Sequence, residues 1–340
     1  MKNRKKLLIV FIPLGILFIA GIWLYTKIFS ANTRFEEKSV LIYVPQAIEA
    51  SAWIESPEGK KIVRHQSTFA LTSSLKKFKT LKPGRYRIPR GINNNSLINM
   101  LRSGAQEPLT VRTDDVETID ALAGKLGKVM MYDSAQFMAS FTNQQKLNSL
   151  GFNTYTLPAM LAPNTYEFFW TMTPDEYLKR MKDIYDNYWT ADRLKQAERI
   201  GLSAEEVATL ASIVKAETAK TEEAPKIAGL YLNRLKSGIA LQSDPTAVFG
   251  KNSHASRVYL SDLQNDSPYN TYQRRGLPPG PINFPEKIFL EAVLGYEKHD
   301  FIFMCAQPKA TGYHNFAKTL DQHNVYRKQY TTWLEDQGIR

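Results

Sequence analysis

Between residues 202 and 218 apolar side chains return every three or four positions. Val207, Leu210, Ile213 and Val214 fall within an arc of roughly 120° at about 100° per residue, the stripe of an amphipathic helix. Ser203 followed by Glu206 is a capping box, which starts that helix. Glu217 continues the stripe, three residues after Val214 and seven after Leu210, placing a carboxylate where the pattern asks for an apolar side chain. Further upstream, residues 7–25 form one apolar run of nineteen residues. At about 1.5 Å per residue it approaches the hydrocarbon thickness of a bilayer. Pro13, Gly15 and Gly21 inside it are tolerated in membrane helices.

The remaining pattern mixes periods. Residues 40–44 predict a strand, and Lys82-Pro-Gly-Arg-Tyr-Arg-Ile-Pro89 a turn followed by a strand of alternating character. Asn94 or Asn95 is placed to cap a helix carrying Leu97, Ile98, Met100 and Leu101 and ending near Gly104. A strand at 109–112, helices at 118–126 and 134–141, and a polar helix over 174–194 follow. Pro225 opens a helix with Ile227, Leu230, Tyr231, Asn233 and Arg234, closed by Gly238. Strands at 301–304 and 312–316 precede a last helix starting within 321–324. The class predicted is α+β (mixed): an N-terminal membrane helix, a small mixed subdomain and a larger mixed α/β domain.

Three loop stretches break this pattern: residues 241–246, 267–272 and 276–285. Long Pro-fixed loops within a folded domain are usually either functional or disordered. Tyr269, Tyr272 and Phe284 argue against disorder, so these loops are expected to wall a cleft. The aromatic stretch 154–169 contributes a second carboxylate, Glu167, which its neighbours equally fit to a core edge.

Composition adds bounds. With 340 residues, 43% of them hydrophobic and 23% charged, the chain is an ordinary globular one with room for two or three cores. A net charge of +11 suits nucleic acid, an anionic membrane surface or an acidic polymer. No zinc-finger spacing, RNP-like aromatic run or concentrated basic tract supports nucleic acid. A single cysteine, Cys305, excludes an intrachain disulfide and a cysteine-built metal site. The five histidines, His65, His254, His299, His314 and His323, show no His-Glu-x-x-His spacing. Neither metal nor cofactor is expected. Lys2, Arg4, Lys5 and Lys6 outnumber the basic residues just after the apolar run, which places the N-terminus in the cytoplasm and the bulk of the chain outside. The run is too long for a typical signal peptide, and Phe29-Ser-Ala31 is a poor cleavage site, so an uncleaved anchor is expected, with Trp23 and Tyr25 in the interfacial belt.

A half-buried carboxyl group resists ionisation because loss of water penalises the charged form. Held protonated near neutral pH, Glu217 can serve as a general acid. A helix-terminal Glu turned to solvent, or paired with a basic residue, fits the local pattern as well.

In order along the chain, several segments resemble the YceG-like family of endolytic murein transglycosylases: Lys82-Pro-Gly-Arg-Tyr-Arg87, Leu161-Ala-Pro-Asn-Thr-Tyr-Glu-Phe168, Ala211-Ser-Ile-Val-Lys-Ala-Glu-Thr218 and Asn233-Arg-Leu235. Leu241-Gln-Ser-Asp-Pro-Thr246, Tyr269-Asn-Thr-Tyr272, Gly276-Leu-Pro-Pro-Gly-Pro-Ile282 and the ending with His314, Phe316, His323 and Asn324 complete the set. The resemblance implies an anchor and cytoplasmic tip at 1–30, a LysM-like subdomain at 37–107 and a catalytic domain at 108–340. It implies one catalytic Glu, here Glu217, that cleaves the MurNAc–GlcNAc β-1,4 bond of nascent glycan strands as acid and then base, leaving 1,6-anhydroMurNAc ends. The family's segment carries a Glu where this chain has Lys215, a cation two residues from Glu217 that could tune it. Gln242, Ser243, Asn233, Tyr269, Asn270 and Tyr272 are candidates to hydrogen-bond or stack on sugars, or to brace loops. Asp244 is a candidate for substrate contact, with capping of its own turn as the alternative. His314 and His323 are expected to tie the terminal strands and helix together. The implied partners are peptidoglycan strands and murein synthases such as penicillin-binding proteins, at the bacterial cytoplasmic membrane. Two other functions stay open: a two-carboxylate muramidase using Glu167 or Asp244, and a non-catalytic glycan-binding scaffold.

Overall fold

The long apolar run and the Glu217 helix lie in different units of the fold. A computed structural model describes residues 2–249 and 261–338, with side chains from residue 12 onward except that of residue 310. His254 and the side chains of Lys2, Arg4, Lys5 and Lys6 fall outside the described residues. One compact unit comprises Met1–Val111 with Val129–Met131 and Glu167–Met172; the other comprises Arg112–Lys128, Tyr132–Tyr166 and Thr173–Arg340.

The first unit opens with α1 (Lys2–Phe29), in which Ile12–Phe29 is long and apolar enough to cross a membrane, with a mean hydropathy of 1.8. After it come β1 (Ser39–Val44), β2 (Ile48–Glu49), α2 (Ala50–Glu55), α3 (Pro57–Ile62), α4 (Gln66–Leu75), β3 (Thr80–Leu81), β4 (Gly84–Pro89), α5 (Asn94–Ser103) and β5 (Leu109–Arg112). β1 pairs antiparallel with β4, so Ile42 stands opposite Tyr86 and Val40 opposite Ile88. Alternation then buries Tyr86 and Ile88 while Arg85 and Arg87 point away, as a half-buried strand requires. Trp53, Phe69, Leu81, Leu97, Ile98 and Leu101 complete the core. Asn93, one residue earlier than expected, caps α5 by accepting from Ser96 N. Asn94 is buried instead and donates to the Lys27 carbonyl at 2.9 Å, while Asn32 donates to Asn94 Oδ1 at 2.7 Å. These bonds secure the end of α1 within the unit.

The second unit holds α6 (Ile119–Val129), α7 (Ser134–Phe141), α8 (Gln144–Ser149), α9 (Leu157–Met160), β6 (Thr165–Phe168), α10 (Pro174–Tyr188), α11 (Ala191–Arg199), α12 (Ala204–Glu217), α13 (Ala224–Lys236), α14 (Asp244–Phe249) and α15 (Lys287–Leu294). α6 and β6 each run into residues of the first unit at one end. The hairpin of β7 (Phe303–Ala306) and β8 (His314–Ala317) and then α16 (Leu320–Asp336) close the chain. α12 forms the centre of this unit. It is not half-buried: every residue from Val207 to Val214 is buried, so no face of that stretch is left to solvent. α13 and α15 pack against it and against each other.

The single polar helix expected over 174–194 is two helices. Trp189 leaves helical geometry at ψ 66°, its indole is buried, and Thr190 starts α11 by accepting from Arg193 N. The Gly-Pro loop walls a cleft in its first part, residues 276–279, but not the one that holds Glu217. Residues 280–285 are buried against α12, where Ser212 Oγ accepts from Ile282 N at 3.0 Å and the Ser212 carbonyl accepts from Asn283 Nδ2 at 2.9 Å. This second part of the loop supports the helix.

Candidate active site

α12 ends at Glu217, and Thr218 turns the chain into extended geometry. The side chain does not turn outward. Its Oε1 accepts from the Ser243 hydroxyl at 2.5 Å and from the Tyr231 hydroxyl at 2.7 Å. Among the described residues none donates a hydrogen bond to Oε2, and Glu217 lines a cleft of about 260 Å³. Burial raises the Glu217 pKa, against the lowering effect of the Ser243 and Tyr231 bonds; the nearby Asp244 charge adds to the rise.

Each donor is placed by its own element. Tyr231 lies on the buried face of α13 with Ile227 and Leu230, and burial pushes its phenol well above the ordinary range. Ser243, 1% exposed, follows Gln242, whose φ of 50° is unusual for a residue with a side chain. That backbone is held by Thr271, which accepts from Gln242 N through its carbonyl and from Ser243 N through Oγ1, at 3.1 and 3.0 Å. Thr246 Oγ1 donates to the Ser243 carbonyl at 2.7 Å and lies 2.8 Å from Thr271 Oγ1. The loop carrying Ser243 is thus knitted to the one at 270–272.

Arg234, three residues beyond Tyr231, is also buried and also borders the cleft. Its guanidinium donates to the carbonyls of Ile302 at 2.6 Å and Leu241 at 2.6 Å, joining the Ser243 loop to the start of the terminal hairpin. β7 contributes Met304, Cys305 and Ala306 to the wall, and β8 contributes His314.

Of the remaining sequence candidates, Gln242, Asp244 and Tyr272 border the cleft. The Tyr272 hydroxyl donates to Asp244 Oδ1 at 2.5 Å. Asp244 begins α14 and does not simply cap a turn. Ser243 acts on Glu217 directly, so its hydroxyl is engaged. Asn233, Asn270 and Tyr269 are outside the cleft. Asn233 Nδ2 donates to the carbonyls of His299 and Phe301 at 2.7 and 3.1 Å. Asn270 is fully buried, donating to the Leu263 and Asn265 carbonyls and accepting from Tyr272 N. The Tyr269 ring packs on Phe249 and Tyr155. All three brace loops. Lys215 does not approach Glu217: its ammonium pairs with Glu286 at 2.8 Å and donates to the Phe284 carbonyl. Glu167 is exposed on β6 and is not part of the cleft wall. His323 stacks on Phe303, tying α16 to β7 as expected, whereas His314 is a cleft residue.

Tyr231, Arg234, Thr271 and His314 were not among the site residues expected from sequence. For Tyr231 and Arg234 a signal existed, since polar groups there interrupt the apolar stripe of α13 much as Glu217 follows that of α12. Among the described residues no cluster of His, Cys, Asp and Glu has the arrangement of a metal site.

The cleft thus presents a half-buried carboxyl group held by two hydroxyl donors on a mixed α+β scaffold. The YceG-like family model matches residues 42–329, and the chain belongs to that family. The endolytic murein transglycosylase of Bacillus subtilis (strain 168) is 27% identical over 330 residues, covering 92% of this chain and 91% of that one. The protein of the same name from Streptococcus pneumoniae serotype 2 is 26% identical over 315 residues, covering 81% of this chain and 55% of its own length. A crystal structure of a yceG-like protein from Listeria monocytogenes shares the fold, with a TM-score of 0.58 at 24% identity over 85% of this chain and 99% of that one.

Proposed function

We propose that this chain is a membrane-anchored endolytic murein transglycosylase that cuts the MurNAc–GlcNAc β-1,4 bond of nascent glycan strands without consuming water. The observation that carries this is Glu217, its pKa raised by burial and its Oε1 taken by Ser243 and Tyr231. Oε2 is then the oxygen left to carry a proton into the cleft. Protonated Glu217 gives that proton to the glycosidic oxygen as the C1–O bond breaks. The MurNAc C6 hydroxyl oxygen bonds to C1, closing the 1,6-anhydro ring, and its proton returns to Glu217. The Ser243 and Tyr231 hydroxyls stabilise the carboxylate formed between the two transfers. Gln242, Asp244 and Tyr272 are the proposed sugar contacts.

In the first unit, the antiparallel strands β2 and β3 enclose the helices α2–α4, an order that supports a LysM-like, glycan-binding role. The anchor holds the cleft on the outer face of the cytoplasmic membrane, near new strands and their synthases, with penicillin-binding proteins as proposed partners. Asp244 on the same cleft favours one second reading, a two-carboxylate muramidase.

The test uses the full chain in detergent and its Glu217→Gln variant on uncrosslinked glycan polymer, with mass spectrometry of the new ends. Ends lighter by one water than a reducing MurNAc, lost in the variant, are expected. Ordinary reducing ends would establish the muramidase; binding without cleavage by either protein would establish a scaffold.

A further inference from the structure

The hairpin that walls the cleft leaves one strand edge open. β7 pairs antiparallel with β8, Cys305 opposite Asn315 and Ala306 opposite His314. One step further, Gln307 N donates to the Tyr313 carbonyl at 2.9 Å. Opposed pairs in an antiparallel ladder alternate between bonded and unbonded. Phe303 and Cys305 therefore bond across to β8, while the N–H and C=O of Met304 and Ala306 point to the far edge. Among the described residues, nothing hydrogen-bonds those backbone groups. The outer edge of β8 differs, because His314 N donates to Glu223 Oε1 at 2.9 Å. Natural proteins blunt open edges with charge, proline or a covering element. Phe303-Met-Cys-Ala306 carries neither charge nor proline, and Met304, Cys305 and Ala306 all border the cleft of Glu217.

A free strand edge takes an extended segment as an added strand. Because this edge borders the cleft itself, its occupant is part of the molecule being cut. The N–H and C=O of one strand residue point the same way, so their partner must offer a C=O and an N–H side by side. A single trans amide, such as the acetamido group of either sugar, points its own two groups in opposite directions and satisfies only one. A peptide residue flanked by two amides satisfies both. In murein that peptide hangs from MurNAc, the sugar whose C1–O bond breaks. We propose that β7 binds the peptide carried by MurNAc as a third strand, through the backbone of Met304 and Ala306. The substrate class is then peptide-bearing glycan and not the bare polymer. This rests on the murein-cleaving reading above. Gln242, Asp244 and Tyr272, the sugar contacts of that reading, lie on other elements and stay available.

The test gives the full chain in detergent two substrates: uncrosslinked glycan polymer carrying its peptides, and the same polymer stripped of them by an amidase. KM for release of new ends is expected to be lower by about 10-fold on the peptide-bearing polymer, the effect of a few added backbone hydrogen bonds. Ala306→Pro deletes an N–H that faces away from β8, a position where edge strands accept proline. It should lose most of that preference, whereas Ala306→Ser, which keeps the N–H, should retain it. A second readout needs no edge variant: hydrogen exchange of residues 303–306 in the Glu217→Gln protein. Exchange should slow with peptide-bearing polymer and stay unchanged with stripped polymer. Equal KM on both polymers, or a preference that survives in folded Ala306→Pro, would overturn the assignment while cleavage itself stands. Protection of the strand by both polymers would assign the edge to the sugars, and protection by neither would leave it without an occupant; either result overturns the proposal. Wild-type protein that cut neither polymer would instead sink the murein-cleaving reading, and this inference with it.

Discussion

Glu217 is in conflict with the stability of the helix that carries it. Burial favours its neutral form, so the folded chain holds the proton at a pH where the unfolded carboxyl group has lost it. Its contribution to stability is therefore complete below the unfolded carboxylate pKa and is lost as pH rises through the folded one. Glutamine has the same shape, accepts the Ser243 and Tyr231 hydrogen bonds through its amide oxygen, and never ionises. Glu217→Gln is expected to match the wild type at acid pH and to become the more stable protein as pH rises. The difference should grow by at most about 1.4 kcal/mol per pH unit between the two pKa values, then level off. Denaturant midpoints of both proteins across that range test it. Equal stability at every pH would mean that the carboxyl group titrates like an exposed one.

Among the elements, what could be read from the sequence was what local chemistry writes. Ser203 and Glu206 do form the predicted capping box, and α12 runs to Glu217, the residue at the end of the predicted stripe. The apolar stripe, in contrast, understated the burial of α12. Its other faces carry Ala208, Thr209, Ala211 and Ser212, small residues that look neutral in a pattern but admit α13, α15 and the Gly-Pro loop at close range. The break at Trp189 was hidden because large aromatics fit a helix pattern as easily as they fit a corner. The partners of Glu217 were less legible still: Tyr231 and Ser243 reach it from 14 and 26 positions along the chain, and no periodicity encodes such meetings. The loop at 276–285 shows how close the approach to α12's surroundings is. A Cβ at buried Gly280 would stand 2.0 Å from the Tyr155 carbonyl oxygen. Gly280→Ala is accordingly expected to destabilise the protein by about 1–3 kcal/mol through overpacking. A thermal melt that left the midpoint unchanged would show that this backbone contact can relax without cost.

For the whole molecule, α1 presents a surface that water does not suit. Leu17, Phe18 and Ile19 are 71%, 70% and 68% exposed, in an 18-residue span of mean hydropathy 1.8. Scattered exposed apolar residues are normal, but a contiguous sleeve of them around a helix calls for a lipid or protein partner. The span is close to the number of residues needed to cross a bilayer. At its C-terminal end, the bonds among Lys27, Asn32 and Asn94 fasten α1 to the folded unit that follows, so insertion of the helix would hold that unit at the membrane surface. The net charge of +11 would add attraction to anionic headgroups, but that term is screened by salt whereas insertion is not. The two contributions can therefore be separated. Full-length protein reconstituted with anionic vesicles is expected to float with them in high salt. Phe18→Lys with Ile19→Lys, near the middle of the span, should cost about 2.5–3.5 kcal/mol per lysine on insertion and leave only a salt-sensitive association. If the double variant still floats at high salt, α1 is not what holds the protein to the membrane, and the attachment must come from the folded units.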